Sequence, residues 1–513
     1  MLIQANSGPL KGMVPRVTVI SIVVMAVALF VGTVYSEASA TALEEVRALL
    51  DPMLEWYYAV LVAFMLLFMI WIGVGRYKNV RLGEDCELPE FTFFSWITML
   101  FAAGTGIGII FWAVAQPIMQ FQDNPFVVEG LTPEAAAVAM RLSFFHWGLN
   151  AWAIFSFVAM VLAYFSFRRG LPLTVRSALH PMLGDRIYGP IGDVVDVLAV
   201  FGTIFGIATT LGLGVQQMNA GLSHVFGLPS SVELQLAVVG GLMLVATISV
   251  VSGVNRGVRM LSEANFWLSL AVAIFVLSFG PTQYLIGATV EAMGQYLQTL
   301  LGMAFYTHAN HDTDWQAEWT VFFWGWTIAW SPFVGMFIAR VSYGRTVREF
   351  LTAVLIVPVV VSTIWMSAFG GTGVDQAREG VGALADGISD SSLALFQMLQ
   401  ELPMTEITSF LAIVLVLVFF ITSSDSGSLV IDSITSGGKT DAPTAQRVFW
   451  VLAESAIAAV LLAVGGAAAL NALQAGAVST GLPFAFVLVL MCVSLIKGLH
   501  HERQLLRLQG QAD

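Results

Sequence analysis

Charge is scarce in this chain of 513 residues, of which only 11% are Asp, Glu, Lys or Arg, where a soluble domain has about a quarter. No polar, Pro/Ser-rich linker divides the sequence, so its length does not indicate several soluble domains. The two cysteines, Cys86 and Cys492, lie too far apart to form a metal or redox motif. The formal net charge of −12 gives no support to nucleic-acid binding.

Apolar sequence is what the chain has in excess. Hydrophobic residues make up 57% of it, and the mean hydropathy is +0.82. Apolar runs of roughly twenty residues recur, each long enough to cross about 30 Å of hydrocarbon. We therefore predict an all-α, polytopic membrane protein of 12 transmembrane helices. The predicted spans are 17–36, 55–75, 92–117, 137–166, 191–216, 233–252, 260–281, 319–340, 350–369, 406–425, 447–466 and 476–496.

The basic residues indicate the orientation of these spans, because cytoplasmic loops carry an excess of Lys and Arg. If the N-terminus is cytoplasmic, 19 of the 22 Lys and Arg residues fall inside, and only Arg47, Arg141 and Arg378 fall outside. We therefore predict a multi-pass protein of the bacterial cytoplasmic (inner) membrane with both termini cytoplasmic, as tails 1–16 and 498–513. The first span is longer than a signal-peptide core, so we expect it to be retained.

Two segments between spans are amphipathic rather than continuously apolar. They are residues 284–304 and 387–401, and both fall on the predicted outer side. Polar residues recur at intervals in each, which is typical of a helix that lies along a membrane surface. We predict such outer helices, and an ordered loop is the alternative.

The third span contains three alternate glycines, Gly104, Gly106 and Gly108. Glycine costs a helix interior roughly 1 kcal/mol relative to alanine. One explanation is close packing, since small residues let membrane helices approach each other. The other is local unwinding, which presents backbone carbonyls to a cation. The spacing alone does not choose between them. A dinucleotide-binding loop is excluded, because no strand precedes the glycines.

The eighth span is rich in tryptophan. Trp326 and Trp330 are four residues apart, so they share one helix face deep in the span. Pro332 cannot donate a hydrogen bond to the carbonyl of Ile328, so we expect the helix to be loosened there. Quaternary ammonium groups bind aromatic faces by cation–π attraction. The pattern therefore indicates a binding surface for a desolvated cation, with aromatic core packing as the alternative.

The fourth span contains a second aromatic cluster, which includes Trp147, Trp152 and Phe155. Core packing alone explains such a cluster about as well as binding does. Two clusters together with two expected helix breaks favour an aromatic binding box formed by both spans.

Hydroxyl groups are concentrated at the end of the tenth span, in Thr422, Ser423, Ser424 and Ser426 around Asp425. Hydroxyls in membrane helices often bond back to their own helix, which is the simpler interpretation. Hard oxygen ligands of this kind also suit Na⁺. Asp425 is alternatively a solvated cap or gate residue. Glu454, inside the eleventh span, is a further ionisable group, for which pairing within the bundle is the favoured interpretation.

The chain resembles the betaine/choline/carnitine transporter (BCCT) family over essentially all its spans. The strings that carry the resemblance are FAAGTGIGIIFWAVAQP, HWGLNAWAIFSF, GTIFGIATTLGLGVQQ, WTVFFWGWTIAWSPFVGMFIARVSYGRTVREF and FFITSSDSGS. The resemblance implies a LeuT-like fold with two five-helix inverted repeats, and a homotrimer. Spans 3–7 would lie in residues 91–281 and spans 8–12 in 319–497, with two peripheral helices in 17–90 and an outer helix and loop in 282–318.

The resemblance also implies site residues. For the substrate these are Trp147, Trp152, Phe155, Trp326, Thr327 and Trp330, with the glycine backbone at Gly104, Gly106 and Gly108. For a first sodium site they are the carbonyls of Ala102, Thr105 and Phe419 and the hydroxyls of Thr422 and Ser423; for a second, Thr203 and the ring of Phe333.

Some positions depart from the family pattern. Thr327 stands where a second adjacent tryptophan is common, and Phe155 where a tyrosine is frequent. Ile207 replaces a hydroxyl residue of the second sodium site, so we expect that site to be incomplete. Gly108 stands where choline-specific members tend to have aspartate.

These features lead us to expect Na⁺-coupled import of a zwitterion by alternating access, with no enzymatic activity and no cofactor besides Na⁺ as the coupling ion. Betaine-like compounds come first, then carnitine and dimethylsulfoniopropionate, since a zwitterion brings its own anion to the box. The alternatives are a sodium-independent exchanger, a proton-coupled choline-type transporter, and a substrate-sensing receptor on a transporter fold. The expected partners are the small zwitterion, sodium and the lipid bilayer.

Overall fold

The computed structural model describes residues 4–8, 10–104, 106–251, 254–307, 309, 314–439, 443–465 and 469–508. Helices dominate these residues, and β-pairing among them is confined to isolated bridges. The first half contains α1 (Pro15–Val34), α2 (Ser36–Val74), α3 (Phe93–Gly104), α4 (Ile107–Gln122), α5 (Pro133–Trp147), α6 (Leu149–Ala163), α7 (His180–Leu183), α8 (Pro190–Phe226) and α9 (Val232–Val251). The predicted all-α class is confirmed.

The second half of the chain packs against the first half in the same helical bundle. It contains α10 (Val254–Phe279), α11 (Thr282–Ala304), α12 (Phe322–Val341), α13 (Val347–Trp365), α14 (Gly371–Arg378), α15 (Ala394–Gln400), α16 (Thr405–Thr435), α17 (Thr444–Gly465) and α18 (Ala469–Leu508). Short π-helical turns extend α6, α12 and α13.

The apolar helices agree with the predicted spans in position. Within the described residues, ten helices are long and apolar enough to cross a membrane, and a bent pair makes up to eleven. The third predicted span consists of two shorter helices, α3 and α4, which are separated by a break. The number twelve and the division into two inverted repeats therefore remain predictions.

Local sequence signals explain where several helices start and stop. Thr132 caps α5 by accepting a hydrogen bond from the amide of Ala135, and Pro133 begins that helix. Thr346 and Glu349 form a reciprocal capping box at the start of α13. Gly227 ends α8 with a φ of 68°, in the left-handed region that favours glycine.

Helix α12 lies at the centre of the bundle, packed against α6, α8 and α18. Glycines let these helices approach closely. A Cβ added at Gly202 or Gly206 of α8 would lie 3.1 Å from the backbone of Ala329 or Trp330. A Cβ at Gly325 would lie 3.0 Å from the Cα of Val478 on α18. The small residues therefore hold α12 and its tryptophans against the other helices.

Loops that were predicted to be cytoplasmic meet at one end of the bundle. The amide of Leu82, after α2, donates to the carbonyl of Arg345, after α12, at 2.8 Å. Arg168 pairs with Glu502 at 2.6 Å, and Tyr164 Oη donates to the carbonyl of Gly498. These contacts place the predicted inner segments on one side. They do not identify that side as the cytoplasm, which remains a prediction. Helix α18 runs without interruption through residue 498, where the C-terminal tail was expected to begin.

The first predicted outer segment, 284–304, is a helix. It corresponds to α11, which is bent by 107° from the preceding helix at residues 280–281. The second segment, 387–401, is helical only in part: α15 covers its C-terminal half, after a short 3₁₀ turn at Ala383–Asp386.

A buried ion-pair cluster anchors the start of α8. The guanidinium of Arg176 is fully buried, 2.6 Å from Asp196 and 3.0 Å from Asp193. Its Nη1 also donates to the carbonyl of Ile187 at 3.3 Å, and its backbone amide donates to Asp196. This one side chain therefore joins the loop before α8 to the helix itself.

We expect Arg176→Ala to destabilise the protein by about 3–5 kcal/mol, because it leaves Asp196 buried without its cation and leaves Asp193 only the exposed Arg16 at 4.0 Å. Thermal unfolding in detergent measures the effect as a lower melting temperature. Arg378→Ala is the matched control. That side chain is partly exposed and pairs with Asp375 and Glu379 near the surface, so the cost is at most about 1 kcal/mol. Equal melting temperatures for the two variants would contradict the anchoring role.

Candidate functional site

The glycine-rich segment of the third span is a helix break. Helix α3 ends at Gly104 and α4 begins at Ile107, while Gly106 between them is extended, with φ −146° and ψ −176°. Gly106 has no side chain, so it cannot cap the first amides of α4, which have no partner within their own helix. Ala102 lies in the last turn of α3, and Thr105 lies outside the described residues.

The same glycines also allow close packing. A Cβ added at Gly106 would lie 3.5 Å from Cη2 of Trp330. A Cβ added at Gly108 would overlap the indole of Trp326 and lie 3.3 Å from Cη2 of Trp147. The structure therefore shows both features: the chain unwinds at Gly106, and the start of α4 packs against tryptophan rings. Cation binding by the freed carbonyls remains a prediction.

The five predicted aromatic residues form one continuous row, here called the aromatic row. Trp147 lies edge-on to Trp326 at 6.1 Å between ring centroids, and Trp326 stacks on Trp330 at 6.3 Å. Phe155 continues from Trp330 at 5.8 Å, and Trp152 from Phe155 at 5.3 Å. The structure thus brings together residues from the fourth and eighth spans. A role for the row in binding remains a prediction.

Two polar groups of the aromatic row have no partner in the described part of the chain. They are the buried indole N–H groups of Trp326 and Trp330. A buried donor without an acceptor costs about 1–3 kcal/mol. These two donors are therefore available to a ligand that brings its own acceptor.

Thr327, beside Trp326, uses its hydroxyl proton within its own helix. Its Oγ1 donates to the carbonyl of Phe323 at 2.7 Å, and the residue is buried. The oxygen keeps its lone pairs, so the group can still accept a hydrogen bond.

Pro332 does not interrupt the eighth span, so the predicted loosening there is wrong. Helix α12 continues from Phe322 through Pro332 to Val341. The hydroxyl of Ser331 donates to the carbonyl of Ile328 at 2.7 Å, which supplies the hydrogen bond that Pro332 cannot make. The adjacent serine therefore explains why the helix stays intact.

A second break does occur, in the fourth span at Gly148, where sequence reasoning did not place it. Helix α5 ends at Trp147 and α6 begins at Leu149. The amide of Leu149 donates to Oη of Tyr296 at 2.9 Å, and Tyr296 is buried on α11. A Cβ at Gly148 would lie 2.6 Å from that hydroxyl, so glycine is needed for the contact. The segment expected on the outer surface thus holds the backbone next to Trp147.

Trp147 is also fixed by a buried polar chain that the sequence analysis missed. Its Nε1 donates to Oε1 of Gln116 at 2.9 Å, and Nε2 of Gln116 lies 2.8 Å from Nδ1 of His146. His146 Nε2 lies 3.2 Å from the hydroxyl of Thr320. Because the amide nitrogen must donate, Nδ1 accepts and the ring carries its proton on Nε2. In the sequence, the signal for this hydrogen-bonded network was the glutamine, Gln116, within an apolar span.

Three of the five residues expected for the first sodium site, Phe419, Thr422 and Ser423, lie on α16, whereas Ala102 lies on α3. Thr422 and Ser423 are half-buried, and Phe419 is one turn earlier. The hydroxyl of Thr422 donates to the carbonyls of Val418 and Phe419 at 3.0 and 3.2 Å. This back-bonding is the simpler of the two interpretations given above. It uses only the proton and leaves the oxygen lone pairs able to face a cation.

The residues proposed for the second sodium site lie on neighbouring helices. Thr203 is on α8 and Phe333 on α12, and these helices touch at the glycines described above. Thr203 is fully buried, and its hydroxyl has no hydrogen-bond partner among the atoms the structure describes. Phe333 lies 5.7 Å from Trp330 between ring centroids.

A broken helix that meets an aromatic row inside a bundle of apolar helices is the arrangement of a membrane transporter. The family model described as "BCCT, betaine/carnitine/choline family transporter" matches residues 16–504, and the chain belongs to this family. It is therefore a transporter and not an enzyme.

Curated relatives agree with this assignment. "Glycine betaine transporter 1" of Vibrio parahaemolyticus is 48% identical over 91% of this chain and 90% of its own length. A second protein of that organism, named a glycine betaine/proline/choline/ectoine transporter, is 49% identical over 86% of this chain and 78% of its own. "Glycine betaine transporter OpuD" of Bacillus subtilis is 39% identical over 94% of both chains.

Solved structures resemble the chain only distantly. The crystal structure of a manganese transporter mutant from Eremococcus coleocola superposes with a TM-score of 0.43 and 14% identity, over 79% of this chain and 81% of that chain. A likeness of this size has no bearing on the substrate.

Gly108→Ala should greatly reduce substrate binding under the function proposed below, because the new methyl group overlaps the indole of Trp326, which is stacked on Phe322 and Trp330. With glycine betaine as the probe in a tryptophan fluorescence titration, we expect the affinity to fall about tenfold or more, which corresponds to about 1.4 kcal/mol. Gly287→Ala on α11 is the control, since a Cβ there meets no atom within 4 Å. Wild-type affinity in Gly108→Ala would contradict the packing described.

Tyr296→Phe should weaken binding without removing the ring from the core. The substitution leaves the amide of Leu149 buried without an acceptor, at a cost of about 1–3 kcal/mol. We expect a lower melting temperature and a several-fold weaker affinity, because Trp147 is two residues away. Tyr284→Phe on the same helix is the control, since its ring, rather than its hydroxyl, contacts Arg378. The same small effect in both variants would show that the hydroxyl does not hold the break.

Proposed function

We propose that this protein imports a quaternary-ammonium or related zwitterion together with Na⁺. We rank glycine betaine and betaine-like compounds above carnitine and the sulfonium compound dimethylsulfoniopropionate. One observation supports this most directly: the uncapped start of α4 packs against Trp326 and Trp330. A helix N-terminus carries a partial positive charge and free amides, which favour an anion. The tryptophan faces favour a cation. A position that favours an anion therefore lies beside one that favours a cation, and a zwitterion carries both charges.

The aromatic row suits a quaternary ammonium group. Such a group has no N–H to donate, so it gains nothing from hydrogen-bond acceptors, and aromatic faces attract it by about 0.5–2 kcal/mol each when desolvated. The unpartnered indole N–H groups of Trp326 and Trp330 then provide donors for the carboxylate of the same molecule. Choline has no carboxylate and would leave these donors and the start of α4 unused. For this reason we rank zwitterions above choline.

Sodium coupling is supported by the oxygen atoms of α16. Na⁺ binds hard oxygen ligands, and the hydroxyls of Thr422 and Ser423, together with the carbonyl of Phe419, lie on one segment of that helix. The carbonyl of Ala102, in the last turn of α3, and that of Thr105, which lies outside the described residues, are the further ligands that we propose for this site. Na⁺ bound there would offset the partial negative charge at the C-terminus of α3 and would order the break. Because the ordered break then binds the substrate better, the two binding events would be coupled.

The relatives' names extend the proposal to the substrate. Three relatives are named for glycine betaine, and one of them also for proline, choline and ectoine. We propose that this chain acts in the same class. We further propose that it works in the bacterial inner membrane as a homotrimer with both termini in the cytoplasm.

The proposal is tested by uptake of radiolabelled glycine betaine into proteoliposomes, with an inward sodium gradient or with potassium in its place. We expect uptake to require sodium. Equal uptake in potassium would overturn the coupling and favour an exchanger, and dependence on a pH gradient alone would favour a proton-coupled transporter.

Trp330→Leu tests the aromatic row in the same assay. We expect its affinity for glycine betaine to fall about tenfold or more, since one cation–π wall and one indole donor are lost. Trp365→Leu on α13 is the matched control, because that buried tryptophan stacks on Phe369, outside the row. Full affinity in Trp330→Leu would refute the row as the binding surface.

A further inference from the structure

Glu454 lies near the middle of α17 and is completely buried. One of its carboxylate oxygens, Oε2, accepts a hydrogen bond from the hydroxyl of Ser424 at 3.3 Å. The other oxygen, Oε1, has no partner within the described ranges. An ionised carboxylate at this depth is costly unless a positive charge accompanies it, so this group must hold a proton or another cation.

The free oxygen of Glu454 lies where three helices meet. A Cβ built on Gly427 of α16 would lie 2.9 Å from Oε1 and would also overlap the end of the Ile207 side chain on α8. Glycine at position 427 thus lets the carboxylate and Ile207 both approach the backbone of α16. The carboxylate is therefore enclosed by α8, α16 and its own helix, α17.

Other buried oxygens without partners lie on the same helices. Thr203 is one turn before Ile207, on the same face of α8, and its hydroxyl is unpartnered. Asp425 of α16 accepts a hydrogen bond from Ser249 through Oδ2 at 2.6 Å, but its Oδ1 has no partner within the described residues. Buried polar atoms without a partner in the protein are expected to bind a water molecule or an ion.

The charges around Glu454 also call for a cation. Its charged neighbour is Asp425, another acid. Arg447, on the same helix as Glu454, interacts instead with Asp425 and with Asp432, closer to the end of α16. No basic residue among those described therefore neutralises Glu454, and its interaction with Asp425 is repulsive when both are ionised.

We propose that Glu454 is the anionic ligand of a second cation site between α8, α16 and α17, which binds one monovalent cation, either a proton or Na⁺. This inference rests on the proposed function in one respect: the cation is either co-transported with the substrate or bound during the transport cycle. Ile207 removes a hydroxyl expected for the second sodium site, and the carboxylate of Glu454 beside it supplies an oxygen in its place. A proton forms the neutral acid at Oε1, whereas Na⁺ is coordinated by Oε1 with the Thr203 hydroxyl.

Glu454→Gln tests this site, because glutamine keeps the size of the side chain and the bond from Ser424 but removes the negative charge. Betaine uptake into proteoliposomes is measured over a sodium titration at fixed pH, and over about pH 5–8 at saturating sodium. If Na⁺ binds, the sodium concentration for half-maximal uptake rises by about fivefold or more. If a proton binds, the wild-type pH dependence is lost. Either result supports the site, and unchanged sodium and pH dependence overturns it.

Two further variants separate this site from general damage. Glu406→Gln at the exposed start of α16 is the matched control and should behave as the wild type. Glu454→Asp keeps the charge on a shorter side chain, so it should retain part of the cation dependence. If Glu454→Gln is not recovered as a folded protein by size-exclusion chromatography, Glu454→Asp decides: wild-type sodium and pH profiles in it would overturn the site.

Thr422→Ala separates this inference from the proposed function. Loss of sodium dependence in Thr422→Ala alone, with Glu454→Gln unchanged, would support the first site and reject the second. If wild-type uptake does not require sodium, the proposed coupling fails, but the pH arm of the Glu454→Gln experiment still tests the carboxylate.

Discussion

The constraint on which the structure depends is the need to satisfy backbone polar groups where no water is present. In a hydrocarbon layer each unpaired N–H or C=O costs several kcal/mol, so helices there are continuous unless the protein supplies other partners. Two spans are nevertheless broken, at Gly106 and at Gly148. The breaks differ in how they are completed: Tyr296 supplies an acceptor at Gly148, whereas no side chain caps the start of α4. The uncapped break is the one that faces Trp326 and Trp330.

The two breaks therefore have different roles. The break at Gly148 is closed by protein and positions Trp147, which is held from its other side by Gln116. The break at Gly106 has no such side-chain partner among the described residues, and in the function that we propose it binds the ligand. A rigid aromatic surface next to an incomplete backbone is a preorganised site, since the protein has already met the cost of ordering the rings.

Sequence reasoning recovered the parts of this site that depend on residue type. The tryptophans of α12 and the glycines of the third span were identified because each is unusual at membrane depth. The contacts that depend on a distant partner were missed. Nothing near Gly148 in the sequence indicates that Tyr296 would reach it. The hydrogen bonds that link the side chains of Gln116, His146 and Thr320 join three different helices. At Pro332 the error was local: the neighbouring Ser331 hydroxyl replaced the missing bond.

The seam between α8 and α12 has a consequence for motion. Gly202 and Gly206 have no side chains, and at this seam they contact the backbone of Ala329 and Trp330. The two helices therefore do not interdigitate side chains at these positions. Surfaces that interdigitate must separate before they can slide, but smooth ones can shear by small steps. Helix α12, which carries Trp326 and Trp330 of the aromatic row, can thus shift along α8 while staying in contact with it. In the alternating-access cycle that we propose, exposing the row to one side of the membrane and then to the other would require no opening of the bundle at this seam.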